Sequence, residues 1–102
     1  MSTEIAEVLA ERGKRYGEFT DHARVTMGLK SIIAMEISRL HKLPFLADDQ
    51  REALHMICHK IGRIVCGDPN YADSWIDIAG YAKLVADRLE KEEKIRKGAE
   101  NL

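Results

Sequence analysis

The stretch D-S-W-I-D-I-A-G-Y-A, residues 73–82, sets two carboxylates four positions apart inside an otherwise apolar segment. On a helical wheel, Trp75, Ile78, Ala82, Val85 and Leu89 gather on one side and are expected to face a core. Asp73 and Asp77 lie nearly opposite, with Gly80 and Leu84 beside them and Ile76 flanking. That second side is too apolar for a solvated face, so the helix is expected to pack on both sides. Two acids at this spacing repel by about 0.2–0.5 kcal/mol on an exposed helix, and by more as water is excluded. A cation, a protein base or a metal must offset them. Gly80 lets another surface come close, at a helix-propensity cost of about 1 kcal/mol. Two readings follow. The aspartates are metal ligands, or they are structural: Asn70 caps the helix, Asp73 sits in its first turn, and Asp77 pairs with Lys60 or Arg63.

Outward from this segment the periodicity stays helical, and no alternating strand pattern or internal repeat interrupts it. A first helix is predicted from Ser2 or Thr3 to about Glu11, with Ile5, Val8 and Leu9 as its apolar side. Gly13 and Gly17 bracket "KRY" as a loop or broken helix. A second helix runs from Thr20 or Asp21 to about Leu40, its stripe being Val25, Leu29, Ile32, Ile33, Ile37 and Leu40. Asp49 with Glu52 resembles a capping box and opens a third helix, about Gln50 to Cys66, burying Leu54, Ile57, Cys58, Ile61 and Val65. After the turn "GDPN" a fourth runs from near Tyr71 to about Glu90. The chain reads as all-α: one domain over residues 1–90, with 91–102 a charged, frayed extension.

Of the 102 residues, 45% are hydrophobic and 32% charged, a globular balance. A formal net charge of −1 argues against nucleic acid as the partner. No segment could span a bilayer and no signal peptide is recognisable, so a cytoplasmic, membrane-free protein is expected. Cys58 and Cys66 read as small hydrophobes in a reducing compartment.

Four further features carry chemistry. "EALHMICHKIGR" places Glu52, His59 and Arg63 on one stripe of the third helix, with His55 and Lys60 at its margins. His55 and His59 have zinc-compatible spacing but no evident third ligand; a polar outer face is the plainer reading. Lys60 and Arg63 lie just before the aspartates, so a helical hairpin could bring cations to carboxylates, or to a phosphate held by metal and base together. Glu36 interrupts the Leu29–Ile33–Leu40 line and needs a partner, a metal or an edge position. "RGKRYG", residues 12–17, supplies three cations, Arg12, Lys14 and Arg15, with Tyr16 and two glycines, a set that can hold a phosphate and stack a base; a solvated loop is the plainer reading.

Together "RGKRYGEF", Lys60-x-x-Arg63 and above all residues 73–82 resemble a family of small phage and prophage proteins. That family looks like a remote relative of the MazG-like nucleoside triphosphate pyrophosphohydrolases, over about Glu11 to Leu89. The resemblance implies a four-helix, MazG-like bundle completed by oligomerisation into a homodimer or tetramer. It also implies a nucleotide ligand and magnesium or manganese. In that superfamily one helix supplies an E-x-x-E pair and the next an acid pair. Asp73 and Asp77 match the second pair; Glu52 or Glu36 would serve for the first, although neither has an acid three positions on. Lys60, Arg63 and Lys14 or Arg15 would bind phosphates, and Tyr81 or Tyr16 the base. The implied activity is hydrolysis of a nucleoside triphosphate to monophosphate and pyrophosphate in the host cytoplasm. The rival is a non-catalytic nucleotide- or partner-binding accessory protein on the same scaffold.

Overall fold

The computed structural model describes residues 3–100. Its regular elements are α1 (Thr3–Tyr16), α2 (Phe19–Arg39), a 3₁₀ turn (Leu43–Phe45), α3 (Asp48–Cys66) and α4 (Ala72–Glu100). The all-α, four-helix expectation therefore holds among the described residues, while several boundaries move. Ser2, one of the two proposed caps, lies outside them.

"KRY" is helix, not loop. Glu11 and Arg15 pair at 2.9 Å across one turn, and the cations of the last turn favour the negative end of the helix dipole. Breakage waits for Gly17, whose φ of 79° lies in the left-handed region that glycine tolerates. α3 opens differently from the Asp49–Glu52 box: Gln50 reaches back so that the Ala47 N–H donates to its Oε1 at 2.8 Å. Asp49 instead accepts two bonds from the Arg88 guanidinium, at 2.9 and 2.6 Å, and that guanidinium holds its carboxyl below the usual range. α4 does not fray near Glu90. Lys83–Asp87, Arg88–Glu92 and Glu93–Lys97 pairs, all spaced i to i+4, support it through its second half.

α3 is the centre of the bundle. It lies between α2 and α4, and α1 crosses its C-terminal end. Lys60–Asp77 and Asp49–Arg88 contacts fix α3 and α4 antiparallel in one register. The buried residues of α3 are Ala53, Cys58, Lys60 and Gly62. Gly62 is required by the α2 contact, because a Cβ there would come within 2.5 Å of Thr26 Oγ1 and 2.8 Å of the His22 ring. Val65, expected inside, is exposed.

The largest correction concerns α4. Its covered stripe is Ser74, Ile78, Tyr81, Val85 and Arg88, whereas Trp75, Ala82 and Leu89 turn outward. The apolar arc of this helix runs so far round that the wheel could not say which part another helix covers.

The chain is long and thin, 64 × 29 × 26 Å, because α4 continues past the start of α3 beyond Arg88. Its radius of gyration is 18.0 Å, against about 13 Å for a compact domain of this length. It exposes 7814 Å², where a compact monomer of this mass would expose about 5,800 Å².

The elbow yields a pair of opposite stability changes. At Gly17 an added Cβ would meet both an unfavourable φ and the Cys66 carbonyl, so Gly17→Ala is expected to destabilise by about 1–3 kcal/mol. At Gly13, within α1, a Cβ meets nothing, and Gly13→Ala is expected to stabilise by about 0.5–1 kcal/mol. Urea unfolding followed by circular dichroism measures both.

Candidate functional site

Two chain reversals meet at one end of the bundle and build the site. Gly17, between α1 and α2, lies on the Cys66 carbonyl, and Gly67, after α3, lies on the backbone of Arg15 and Tyr16. The Asp68 N–H donates to the Arg15 carbonyl at 2.7 Å. Neither glycine leaves room for a side chain, so the last turn of α1 is held tightly against the end of α3.

That docking opens a cavity of about 780 Å³ between α1, the start of α2 and the flank of α3, within the size range of small-molecule clefts. Arg12, Lys14 and Arg63 bring positive charge to its lining, and Glu18 is the one acid among the described residues that line it. Tyr16 and Phe19 add aromatic surface. The Arg63 guanidinium lies 4.1 Å from the Tyr16 ring centroid and Arg12 6.0 Å from it, a stacking that orients the guanidinium while leaving its edge to bond an anion.

Two histidines form the floor. His22 is 6% exposed, and its Nε2 lies 3.0 Å from the His59 carbonyl oxygen. A carbonyl only accepts, so Nε2 carries the proton, with Thr26 Oγ1 at 3.4 Å beside it. The His22 and His59 rings meet edge to face at 4.5 Å. Burial, then the neighbouring His22, Arg63, Lys60 and Lys30, push the His59 pKa down to about 4. His59 is therefore neutral near pH 7 and adds a hydrogen-bonding group without adding charge.

The residues singled out from the sequence divide. Lys14, Tyr16 and Arg63 line this cavity. Arg15 turns away, to Glu11 and the Tyr71 ring. Lys60, expected beside Arg63, faces α4 instead: its Nζ lies 3.1 Å from Asp77 Oδ2, with the lysine side chain 10% exposed and the aspartate 44%. Asp73 accepts the Tyr71 hydroxyl at 3.0 Å. Glu36 is exposed on α2 and held by Arg39 at 2.7 Å, which answers its need for a partner. Glu52 is exposed on α3, and Tyr81 is half-buried at the edge of the covered stripe of α4, where it borders a depression on that helix apart from the elbow cavity. His55 lines a groove with Ile33 and Leu54, apart from His59. Among the described residues no three His, Cys, Asp or Glu side chains come together to hold a metal ion. Within one chain, then, Asp73, Asp77, Glu52 and Glu36 do not fit a magnesium or manganese site.

Phe19, His22 and Glu18 were missed as lining residues, and Arg12 was seen only as part of its basic cluster. His22 had a signal: it extends the Val25–Leu29 stripe by one turn toward the N-terminus, so a histidine continues a buried line.

Residues 3–89 match the family model described as Domain of unknown function (DUF6378). No curated protein and no solved structure matches the chain.

The aspartates are expected to separate in a thermal melt without metal. Asp77→Asn leaves the Lys60 ammonium buried without its counter-charge and should destabilise by about 1–3 kcal/mol, less than a fully buried pair because the carboxylate is half open to water. Asp73→Asn, at an exposed position whose tyrosine partner keeps an amide acceptor, should change stability by less than about 0.5 kcal/mol.

Proposed function

The chain belongs to the DUF6378 family, a domain of unknown function, and from the lining of the cavity at the α1–α2 elbow we propose that it binds a nucleotide there. Arg12, Lys14 and Arg63 hold the phosphates, and Tyr16 and Phe19 take the base. The observation that supports this reading is the meeting of three cations and two aromatic rings in one cleft of ligand size. A phosphate needs charge and directional donors, and guanidinium edges supply both. Phe19 is 78% exposed, a ring free to take a base. The neutral His59 offers a hydrogen bond at the floor.

The resemblance noted above motivates a second reading, metal-dependent hydrolysis of a nucleoside triphosphate. The one-chain geometry derives no metal step, so this reading needs an assembly that brings further acids to Asp73 and Asp77. An assembly has support of its own. The chain exposes roughly 2,000 Å² more than a compact monomer of its mass, and its uncovered side chains include Met35, Trp75, Ile76 and Leu84. A homo-oligomer, dimer or tetramer, is therefore part of the proposal. Among the described residues no helix is long and apolar enough to cross a membrane.

Titration calorimetry with nucleoside triphosphates, monophosphates and inorganic phosphate, each with and without magnesium, tests the reading. Nucleotides should bind, and Arg63→Ala should weaken them by about 1.5–3 kcal/mol, tenfold or more. Arg39→Ala, outside the cavity, should leave affinity unchanged. No heat with any nucleotide overturns the proposal. Pyrophosphate release in the same samples selects hydrolysis over the non-catalytic rival, and binding without release selects the rival.

A further inference from the structure

At the other end of the bundle from the elbow, a groove of about 470 Å³ lies between the end of α2, the 3₁₀ turn and the start of α3. Ile33, Ile37 and Leu54 form apolar walls, and three basic side chains, His41, Arg51 and His55, border them. Among the described residues no Asp or Glu lines this groove. Arg51 and His55 stand one turn apart on α3, on neighbouring positions of one face. The Arg51 guanidinium has neither an ion pair nor a hydrogen bond among the described residues, whereas Glu36 and Asp49 are held by Arg39 and Arg88. His41 carries a second signal. α2 ends with the Lys42 N–H donating to the Ile37 carbonyl at 2.9 Å and the His41 N–H to the Ser38 carbonyl at 3.1 Å. That is a Schellman ending, whose turning residue is usually glycine. His41 occupies it at φ 53°, the one non-glycine residue with a positive φ among those described. Histidine enters this region more readily than most side chains, yet glycine enters it at less cost. A side chain kept at such a position beside a groove points to a role for it there.

We propose that this groove binds a small-molecule carboxylate with an apolar body, of the class of aliphatic monocarboxylates. The Arg51 guanidinium takes the carboxylate through paired N–H donors, and the ring N–H groups of His41 and His55 add hydrogen bonds to it. The apolar body lies along Ile33, Ile37 and Leu54, displacing water from walls that the chain leaves half-buried. The volume lies within the range of small-molecule clefts. Charge selects the occupant. Apolar walls alone would take any hydrocarbon, whereas three basic side chains without an acid among them favour an anion. A nucleotide is disfavoured by the same walls, which give its polar groups nothing to bond. The groove is therefore a separate site from the elbow cavity, and neither proposal depends on the other.

Titration of the labelled protein with octanoate, octanol and octylamine, followed by NMR, tests the site. Octanoate at millimolar concentration should shift the resonances of Ile33, Ile37, Arg51 and Leu54. Octanol, with the same chain and no charge, should bind about tenfold more weakly or worse, and octylamine weaker still. Arg51→Ala, at an exposed position, should cost octanoate about tenfold in affinity. His41→Gly should raise the melting temperature while weakening octanoate, a combination that damage to the fold cannot produce. Octanoate that leaves the groove resonances still overturns the proposal. So does octanol or octylamine binding as well as octanoate, or an unchanged octanoate affinity in either variant.

Discussion

Two glycines that cannot be anything larger hold the candidate site together. Gly17 rests on the Cys66 carbonyl and Gly67 on the backbone of Arg15 and Tyr16, each where a Cβ would overlap main-chain atoms. The hydrogen bond from Asp68 to Arg15 locks the pair. Because the contact is backbone on backbone, it leaves nothing flexible to adjust. It fixes where the last turn of α1 points, and so fixes Arg12, Lys14 and Tyr16 opposite Arg63 and His59. The cavity follows from that junction.

The rest of the bundle is held more lightly. α3 alone is covered on two sides, and its buried positions are small or polar: Ala53, Cys58, Lys60 and Gly62. Lys60 is retained there because Asp77 compensates it, and Arg88 ties the far end of α4 to Asp49. Such pairs set register and orientation more than they stabilise, since partly exposed ion pairs contribute little. The exposed apolar side chains include Met27, Ile32 and Met35 on α2 and Trp75, Ile76 and Leu84 on α4.

Helical periodicity made the four helices legible, because it is a local property and the chain keeps it throughout. The α2 residues that face the bundle, Val25, Leu29, Ile33 and Ile37, were read correctly for that reason, whereas Ile32 and Leu40, expected on the same stripe, are exposed. The faces of α4 were not read correctly. Apolar residues nearly encircle that helix, and the Lys60–Asp77 and Asp49–Arg88 contacts mark the side that meets α3. The site was half legible. A basic cluster with a tyrosine marked Lys14 and Tyr16, and spacing marked Arg63. Spacing could not show that Lys60, three positions from Arg63, faces the other neighbour of α3. It also could not bring Phe19 and His22 to the site, since their place depends on a left-handed turn at Gly17 and a close α2–α3 crossing at Gly62.

The account stands on the elbow cavity being the place where a nucleotide sits. Amide and side-chain NMR spectra of the labelled protein, recorded as a nucleoside triphosphate is added, test this most directly. Shifts concentrated at Arg12, Lys14, Tyr16, Phe19, His59 and Arg63, with the Asp73–Asp77 turn of α4 largely still, are what the account predicts. Shifts centred on Asp73, Asp77 and Tyr81, with the elbow unmoved, would contradict it.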